Sequence, residues 1–275
     1  MRQPDRIALI SDVHGNLTAL EAVLADIDAR GITRVFNLGD YVGKGPRGRE
    51  VVDLCRERCE VNLLGNWDDF LPDPGRGFDT EALRWWLGQL GPGQGDWLRS
   101  LPFKHDFWLS GRRVRLFHAS EETVHRRVRF VKSQQEFEDL FTATEATGPD
   151  DGFEPDVIGY GDTHDPYYET QLASRTVFNT GSVGNCMGDP TPVYCVLEGA
   201  LDAPEPAPWS IAHVRVPYDV EAELAVARDL GMPEYDGYEL ELRHGLYRRW
   251  LEPWRAGEDM TGYHERPAVT AGATA

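Results

Sequence analysis

The stretch RIALISDVHGNLTALEAVLADIDARGITRVFNLGD, residues 6–40, reads in order as strand, polar turn, helix and strand. RIALIS is a short apolar run, LTALEAVLADIDA repeats apolar residues at helical spacing, and RVFNLGD is a second apolar run. That is a βαβ unit. The rhythm continues with a helix at 49–58, a strand at 61–64 and the turn GNWDD, and further strands are expected at 114–118, 157–160, 176–179 and 192–197. Buried strands alternating with helices imply an α/β layered core, in which the loops at the carboxyl ends of the strands gather on one edge and carry the ligand site.

The 275 residues are 41% hydrophobic, ordinary for one domain with an appendage. Residues 1–200 are expected to form that domain. Within it, 68–112 breaks the rhythm with Gly, Pro and the rings of Trp85, Trp86, Trp97 and Trp108, and reads as a helical insertion. Residues 201–209 read as a linker opening a strand-and-helix extension to 255, with a strand at 210–216 and a helix at 220–230, and 256–275 as a disordered tail.

Forty-six acidic against 28 basic residues give a formal charge of −18, which repels a nucleic-acid backbone or an anionic membrane over most of the surface. Long nucleic acid is therefore not the expected partner. Cations are concentrated in two islands, Lys44, Arg47 and Arg49, and Arg126, Arg127, Arg129 and Lys132, which suits focused capture of a small anion. Cys55, Cys59, Cys186 and Cys195 form no CxxC pair and fit reduced thiols. With no signal-peptide layout and no apolar stretch long enough to span a bilayer, a cytoplasmic protein is expected, one compatible with self-association.

Five short polar motifs follow the strands. Asp12-Val13-His14 brings a carboxylate and an imidazole within reach of one cation, and Gly39-Asp40 adds a carboxylate whose two oxygens can bridge two ions. Gly65-Asn66 supplies an amide oxygen, His118 closes RVRLFH, and Gly161-Asp162-Thr163-His164 adds a carboxylate and an imidazole two residues apart. Singly, each has ordinary readings as a cap or turn residue. In this order and at βαβ spacing they point to a metal centre.

D-x-H, G-D, G-N-x-D, H and G-x-T-H, closed by Asn179-Thr180-Gly181-Ser182, resemble the calcineurin-like metallophosphoesterase superfamily over roughly the first two-thirds of the chain. The resemblance implies a four-layer αββα sandwich of two mixed sheets flanked by helices, and two divalent metals. Asp12, His14, Asp40 and His164 would hold one metal, and Asp40, Asn66, His118 and Asp162 the other. A water shared by two cations loses its proton readily, and the ions clamp an in-line displacement at phosphorus. The implied activity is hydrolysis of a small phosphorylated metabolite or nucleotide. Asp40, Asn66, Trp67 and Asp68 form the expected catalytic set, and Asn66, Lys44 and Arg47 face the substrate.

The chain departs from the family pattern at three places. Trp67 stands where the family has a histidine that protonates the leaving oxygen, and an indole can donate a hydrogen bond but not act as general acid. Asp68, Asp69, His105 and His125 are the replacement acids to consider. Gly43 and Lys44 stand where the protein-phosphatase branch has aspartate and arginine, so the aspartate that orients the absent histidine is absent too. Asp162 replaces a histidine ligand, adding oxygen character that favours manganese, iron or magnesium over zinc, with nickel a further option. A different outcome of the same sequence is a metal-containing protein that binds a phosphometabolite with little turnover because Trp67 has displaced the acid.

Overall fold

The computed structural model describes residues 4–73, 80–148 and 152–262. Its strands are β1 Asp5–Ile10, β2 Arg34–Asn37, β3 Val61–Asn62, β4 Lys104–Leu109, β5 Arg112–Phe117, β6 Val157–Tyr160, β7 Tyr167–Thr170, β8 Thr176–Asn179, β9 Val193–Gly199 and β10 Ser210–Arg215. Its helices are α1 Leu17–Ala29, α2 Gly48–Arg58, α3 Asn66–Phe70, α4 Glu81–Gly88, α5 Gln94–Arg99, α6 Gln134–Asp139, α7 Val220–Asp229, α8 Tyr235–His244 and α9 Leu251–Arg255.

Two mixed five-stranded sheets, ordered β10-β9-β1-β2-β3 and β4-β5-β6-β8-β7, lie face to face with helices outside them. The two-residue period of β1 shows how the layers form. Ile7 and Leu9 point into the core between the sheets with Phe36, Val114, Leu116, Val157 and Phe178, whereas Ala8 and Ile10 point outward to meet Leu20, Val23 and Leu24 of α1. The turn before α1 is closed by Asn16, whose side chain caps the helix by accepting from the Ala19 N–H at 3.0 Å. The first sheet runs parallel from β1 through β2 to β3, and the second from β5 through β6 to β8, so the carboxyl ends of all six strands share one edge.

Several elements differ from the sequence reading. The stretch 68–112 carries α4 and α5 but ends in β4, which pairs antiparallel with β5, so it is not helical throughout. Tyr167–Thr170 adds an edge strand, and α8 and α9 follow α7 in the C-terminal extension, where α7 and α8 share a small core of Leu224, Ala227, Met232, Tyr238 and Leu242. Residues 263–275 of the expected tail lie outside the described residues. All four cysteines are buried free thiols. Among the described residues no helix is long and apolar enough to cross a membrane.

Candidate metal centre

At the shared edge the backbone ladders continue past the strand ends and lock the loops together. Asp12 N–H donates to Gly39 O, His14 N–H to Asp40 O and Gly15 N–H to Tyr41 O, at 2.8–3.0 Å. From the other sheet, Gly184 N–H and the Ser182 hydroxyl both donate to Asp12 O. Gly161 approaches so closely that a Cβ there would lie 2.1 Å from Ser11 Oγ and 2.6 Å from Asp12 Oδ2, which explains the glycine before Asp162. Of the eleven non-glycine residues with positive φ among those described, six stand here: Asp12, His14, Asp40, Lys44, Asp162 and His164. Left-handed backbone in six site residues turns their side chains back over the sheet edge, at a conformational cost.

Six of the expected ligands converge. His14 Nε2 lies 3.8 Å from Asp12 Oδ1 and 3.5 Å from Asp40 Oδ2, His164 Nε2 lies 3.2 Å from Asp12 Oδ1, and His118 Nε2 lies 3.5 Å from Asp40 Oδ2 and 3.1 Å from Asn66 Oδ1. Two clusters of potential ligand atoms result, Asp12, His14 and His164, and Asp12, Asp40 and His118, each spanning no more than 4.8 Å. All five of these residues are buried.

A backbone carbonyl holds the far side of every ring: Val42 O takes His14 Nδ1, Leu38 O takes His118 Nδ1, and Asn185 O takes His164 Nδ1. A carbonyl only accepts, so each Nδ1 carries its proton and each Nε2 turns toward the centre. In the neutral rings the Nε2 lone pairs of His14 and His164 therefore face each other at 3.3 Å, beside an Asp12 Oδ1 that is buried with no hydrogen-bond partner. A cation is the group that satisfies two opposed lone pairs and an orphaned carboxylate oxygen together. The residues present fit a divalent metal.

The electrostatics agree. Burial and then Lys44 push the His14 imidazole well below its usual value, keeping it neutral as a ligand must be. Burial alone would lower His118, yet Asp40 and Asp12 raise it to about 10, and burial together with Asp40 lifts Asp68 to about 8. Both folded values lie above those of the free groups, so the metal-free fold keeps protons that the unfolded chain has released, and its stability falls as pH rises toward 8 and then 10. A cation held by His118 would take the place of the imidazolium proton. The rise in melting temperature on saturating with manganese is therefore expected to be larger at pH 8 than at pH 6, and scanning calorimetry at the two pH values checks it; an equal rise at both would contradict this electrostatic picture.

The sequence model of the calcineurin-like phosphoesterase superfamily domain matches residues 6–200. The chain belongs to this superfamily. An uncharacterised protein of Methanocaldococcus jannaschii is 29% identical over 262 residues, which are 86% of this chain and 97% of that one. The crystal structure of a metallophosphoesterase from Sphaerobacter thermophilus superposes with a TM-score of 0.67 at 27% identity, covering 88% of this chain and 99% of that one. A hypothetical protein from Pyrococcus horikoshii shares the fold, with a TM-score of 0.65 at 17% identity over 88% of this chain and 99% of its own. This calcineurin-like phosphoesterase is thus a metal-dependent hydrolase of phosphoesters.

The other expected site residues of this phosphoesterase stand outside the two ligand clusters. Arg47 turns away from the site: its guanidinium bonds the buried carboxylate of Glu223 and the Thr18 hydroxyl, tying α7 to α1. Asp162 joins neither ligand cluster, because Arg127 takes both of its carboxylate oxygens at 2.8 and 2.9 Å while its N–H donates to Asp12 Oδ2. Asp68 is buried beneath the loops and accepts from the N–H groups of Asp40, Tyr41 and Gly65 at 2.7–3.0 Å, a positioning contact rather than a route to substrate. Asp69 pairs with His125 at 2.7 Å, and His105 packs edge-on against Phe36 and lines a different cavity. Lys44 does sit at the centre, its Nζ 3.4 Å from His164 Nε2, 3.5 Å from Asn185 Oδ1 and 5.8 Å from the Trp67 ring, and burial lowers it to about 8.

Trp67 leaves no room for a side chain at Gly43. The indole meets His14 edge-on at 5.8 Å, Phe70 at 4.9 Å and Trp86 at 5.5 Å, and its six-membered ring fills the space beside Gly43. A Cβ at Gly43, where φ is 77°, would lie 2.1 Å from Trp67 Cε3. Gly43→Ala is expected to cost about 1–3 kcal/mol by overpacking, on top of the penalty for a positive φ. In a Trp67→His background the steric part disappears, so urea unfolding of both singles and the double should show coupling of about 1 kcal/mol or more. Additive losses would refute the pairing.

Two groups escaped the sequence reading. Asn185 orients His164 through its carbonyl and is itself held by Glu241 of α8, whose Oε2 accepts from Asn185 Nδ2 at 2.9 Å. Tyr247, Arg249 and Trp250, just after α8, face Lys44, Trp67, Arg127, Arg129 and His164 across one cavity. The available signal was YRRW at 247–250, a cationic and aromatic cluster in an acidic chain.

Proposed function

We propose that this phosphoesterase hydrolyses a small phosphorylated metabolite or nucleotide, as a phosphodiesterase or phosphatase, with two divalent cations. The observation that carries this reading is the pair of opposed imidazole lone pairs beside the unpartnered Asp12 oxygen, with Asp12 common to both clusters. Asp12, His14 and His164 would hold one ion with a contribution from Asp40, and Asp40, Asn66 and His118 the other. Mixed imidazole, carboxylate and amide donors suit manganese or iron. When bound, such ions lower the pKa of a shared water and neutralise the phosphoryl oxygens.

The chain's own residues do the rest. Lys44 sets a buried positive charge against the phosphoryl group, without the two-pronged geometry of arginine. Trp67 walls one side and excludes water but holds no proton to transfer, which favours substrates whose leaving oxygen is stable as an anion. The test is turnover of p-nitrophenyl phosphate and bis(p-nitrophenyl) phosphate by manganese-loaded protein, with loss on chelation. No hydrolysis of either ester, nor of a nucleotide panel, would defeat it.

Trp67 also favours a second reading, a metal-containing phosphometabolite-binding protein with weak turnover. That reading expects calorimetric binding of a nucleotide without product, and activity gained rather than lost in Trp67→His.

A further inference from the structure

Beside the candidate metal centre, the cavity bounded by His164 and Lys44 is closed on its far side by Arg129, Arg249, Tyr247 and Trp250. Arginines around it are committed: Arg127 to Asp162, and Arg248 to Glu241 and Glu234. Arg129 and Arg249 form no ion pair among the described residues. The guanidinium of Arg249 lies over aromatic rings instead, 4.8 Å from the centre of Trp250 and 5.9 Å from that of Tyr247. Partial desolvation at the cavity rim, and after it the neighbouring charges of Arg127 and Arg249, holds the otherwise exposed Arg129 below the usual arginine value, although Asp165 and Asp162 also act on it. Asp165 lines the cavity without closing an ion pair on Arg129, and Asp162 is already neutralised by Arg127. Thr163 also lines the cavity, one residue before His164, and its hydroxyl oxygen is buried with no hydrogen-bond partner.

Two neighbouring arginines that close no direct ion pair, on the rim of a cavity in a protein of net charge −18, mark a place that suits an anion arriving from outside. The metal centre accounts for one phosphate only. We infer that Arg129 and Arg249, with the Thr163 hydroxyl, receive a second phosphate of the substrate, so that the preferred class is a small nucleotide bearing two separate phosphate groups. Tyr247 and Trp250 supply the aromatic wall on which a base or sugar rests. The assignment rests on the phosphoesterase reading for the fate of the first phosphate, and through Tyr247, Arg249 and Trp250 it gives the C-terminal segment, beyond the residues matched by the superfamily domain, a share in selecting the substrate.

Calorimetry on the full chain with manganese separates the two claims. Adenosine bisphosphate, with its phosphates on separate ribose hydroxyls, is expected to bind at least about tenfold more tightly than AMP, the scale of one charge-assisted contact. In the double variant Arg129→Gln with Arg249→Gln the two affinities should become about equal. Both side chains are exposed, and a thermal melt compared with wild type checks that the fold is kept. Equal affinities in wild type, or a preference that survives in the double variant, overturns the second-phosphate site. Turnover of the aryl esters, measured alongside, judges the phosphoesterase reading on its own. The bisphosphate preference stands or falls whether or not those esters are cleaved.

Discussion

Asp40→Asn is expected to lower kcat/KM on aryl phosphoesters by about a thousandfold or more, and to reduce the metal content measured by elemental analysis. Asp40 offers Oδ2 at 3.5 Å to both His14 and His118 and fixes Oδ1 on the Trp67 N–H at 2.9 Å, so one carboxylate sits between the two clusters and on the loop that closes them. The amide keeps the shape and loses the charge. Two cations held here would repel each other, and a shared anion would offset that repulsion, so in the proposed dinuclear centre removing it would cost several kcal/mol of charge stabilisation, about three powers of ten in rate. In the metal-free protein two effects oppose each other: the amide relieves the repulsion that, after burial, raises Asp68 to about 8, and removes the anion that raises His118 to about 10. A variant with wild-type metal content and rate would remove Asp40 from the centre of the chemistry.

Glu241→Ala carries the largest expected effect on stability, about 3 kcal/mol by urea unfolding, because Arg248 loses its buried partner and keeps only the more exposed Glu234. The Glu241 carboxylate is buried and accepts from Arg248 N–H and Nε at 3.0 Å each, from Arg248 Nη2 at 2.8 Å and from Asn185 Nδ2 at 2.9 Å. Burial works against its ionisation, but Arg248 outweighs that and holds it below the usual carboxylate range. Activity should fall as well, by about ten- to a hundredfold, because Asn185 is the residue that orients His164. Glu241→Gln, which keeps the hydrogen-bonding shape, should recover part of both losses. If Glu241→Ala unfolds at the wild-type urea concentration, the network from α8 to His164 has no mechanical role.

The ligand-bearing turns were legible because each follows a strand whose apolar run is plain in the text: RIALIS before Asp12, RVFNL before Asp40, RVRLF before His118, DVIGY before Asp162. Local sequence carries that information. β4 was hidden because its alternation is masked by charge: in KHDFWL, Asp106 is consumed by Arg115 of the paired strand at 2.8 Å, and that arginine is buried. The ion pair across the two strands hides β4, whereas β5 stays legible through Val114, Leu116 and Phe117. Arg47 misled for a different reason. Sequence proximity to Lys44 suggested one cationic island, while the fold sends Arg47 to a glutamate 176 residues further along. Asp162 likewise met Arg127, a partner no spacing rule connects with it. Contacts made across the chain, and the C-terminal wall of the cavity with them, depend on tertiary packing that periodicity does not encode.

The left-handed backbone at Asp12, His14, Asp40, Lys44, Asp162 and His164 sets durability against reactivity at the same six α-carbons. An L-residue held there costs about 1–2 kcal/mol that glycine does not. A library propagated under heat challenge alone, with no demand for turnover, should therefore accumulate glycine at these positions, and survivors that melt later would be those in which the catalyst has been erased.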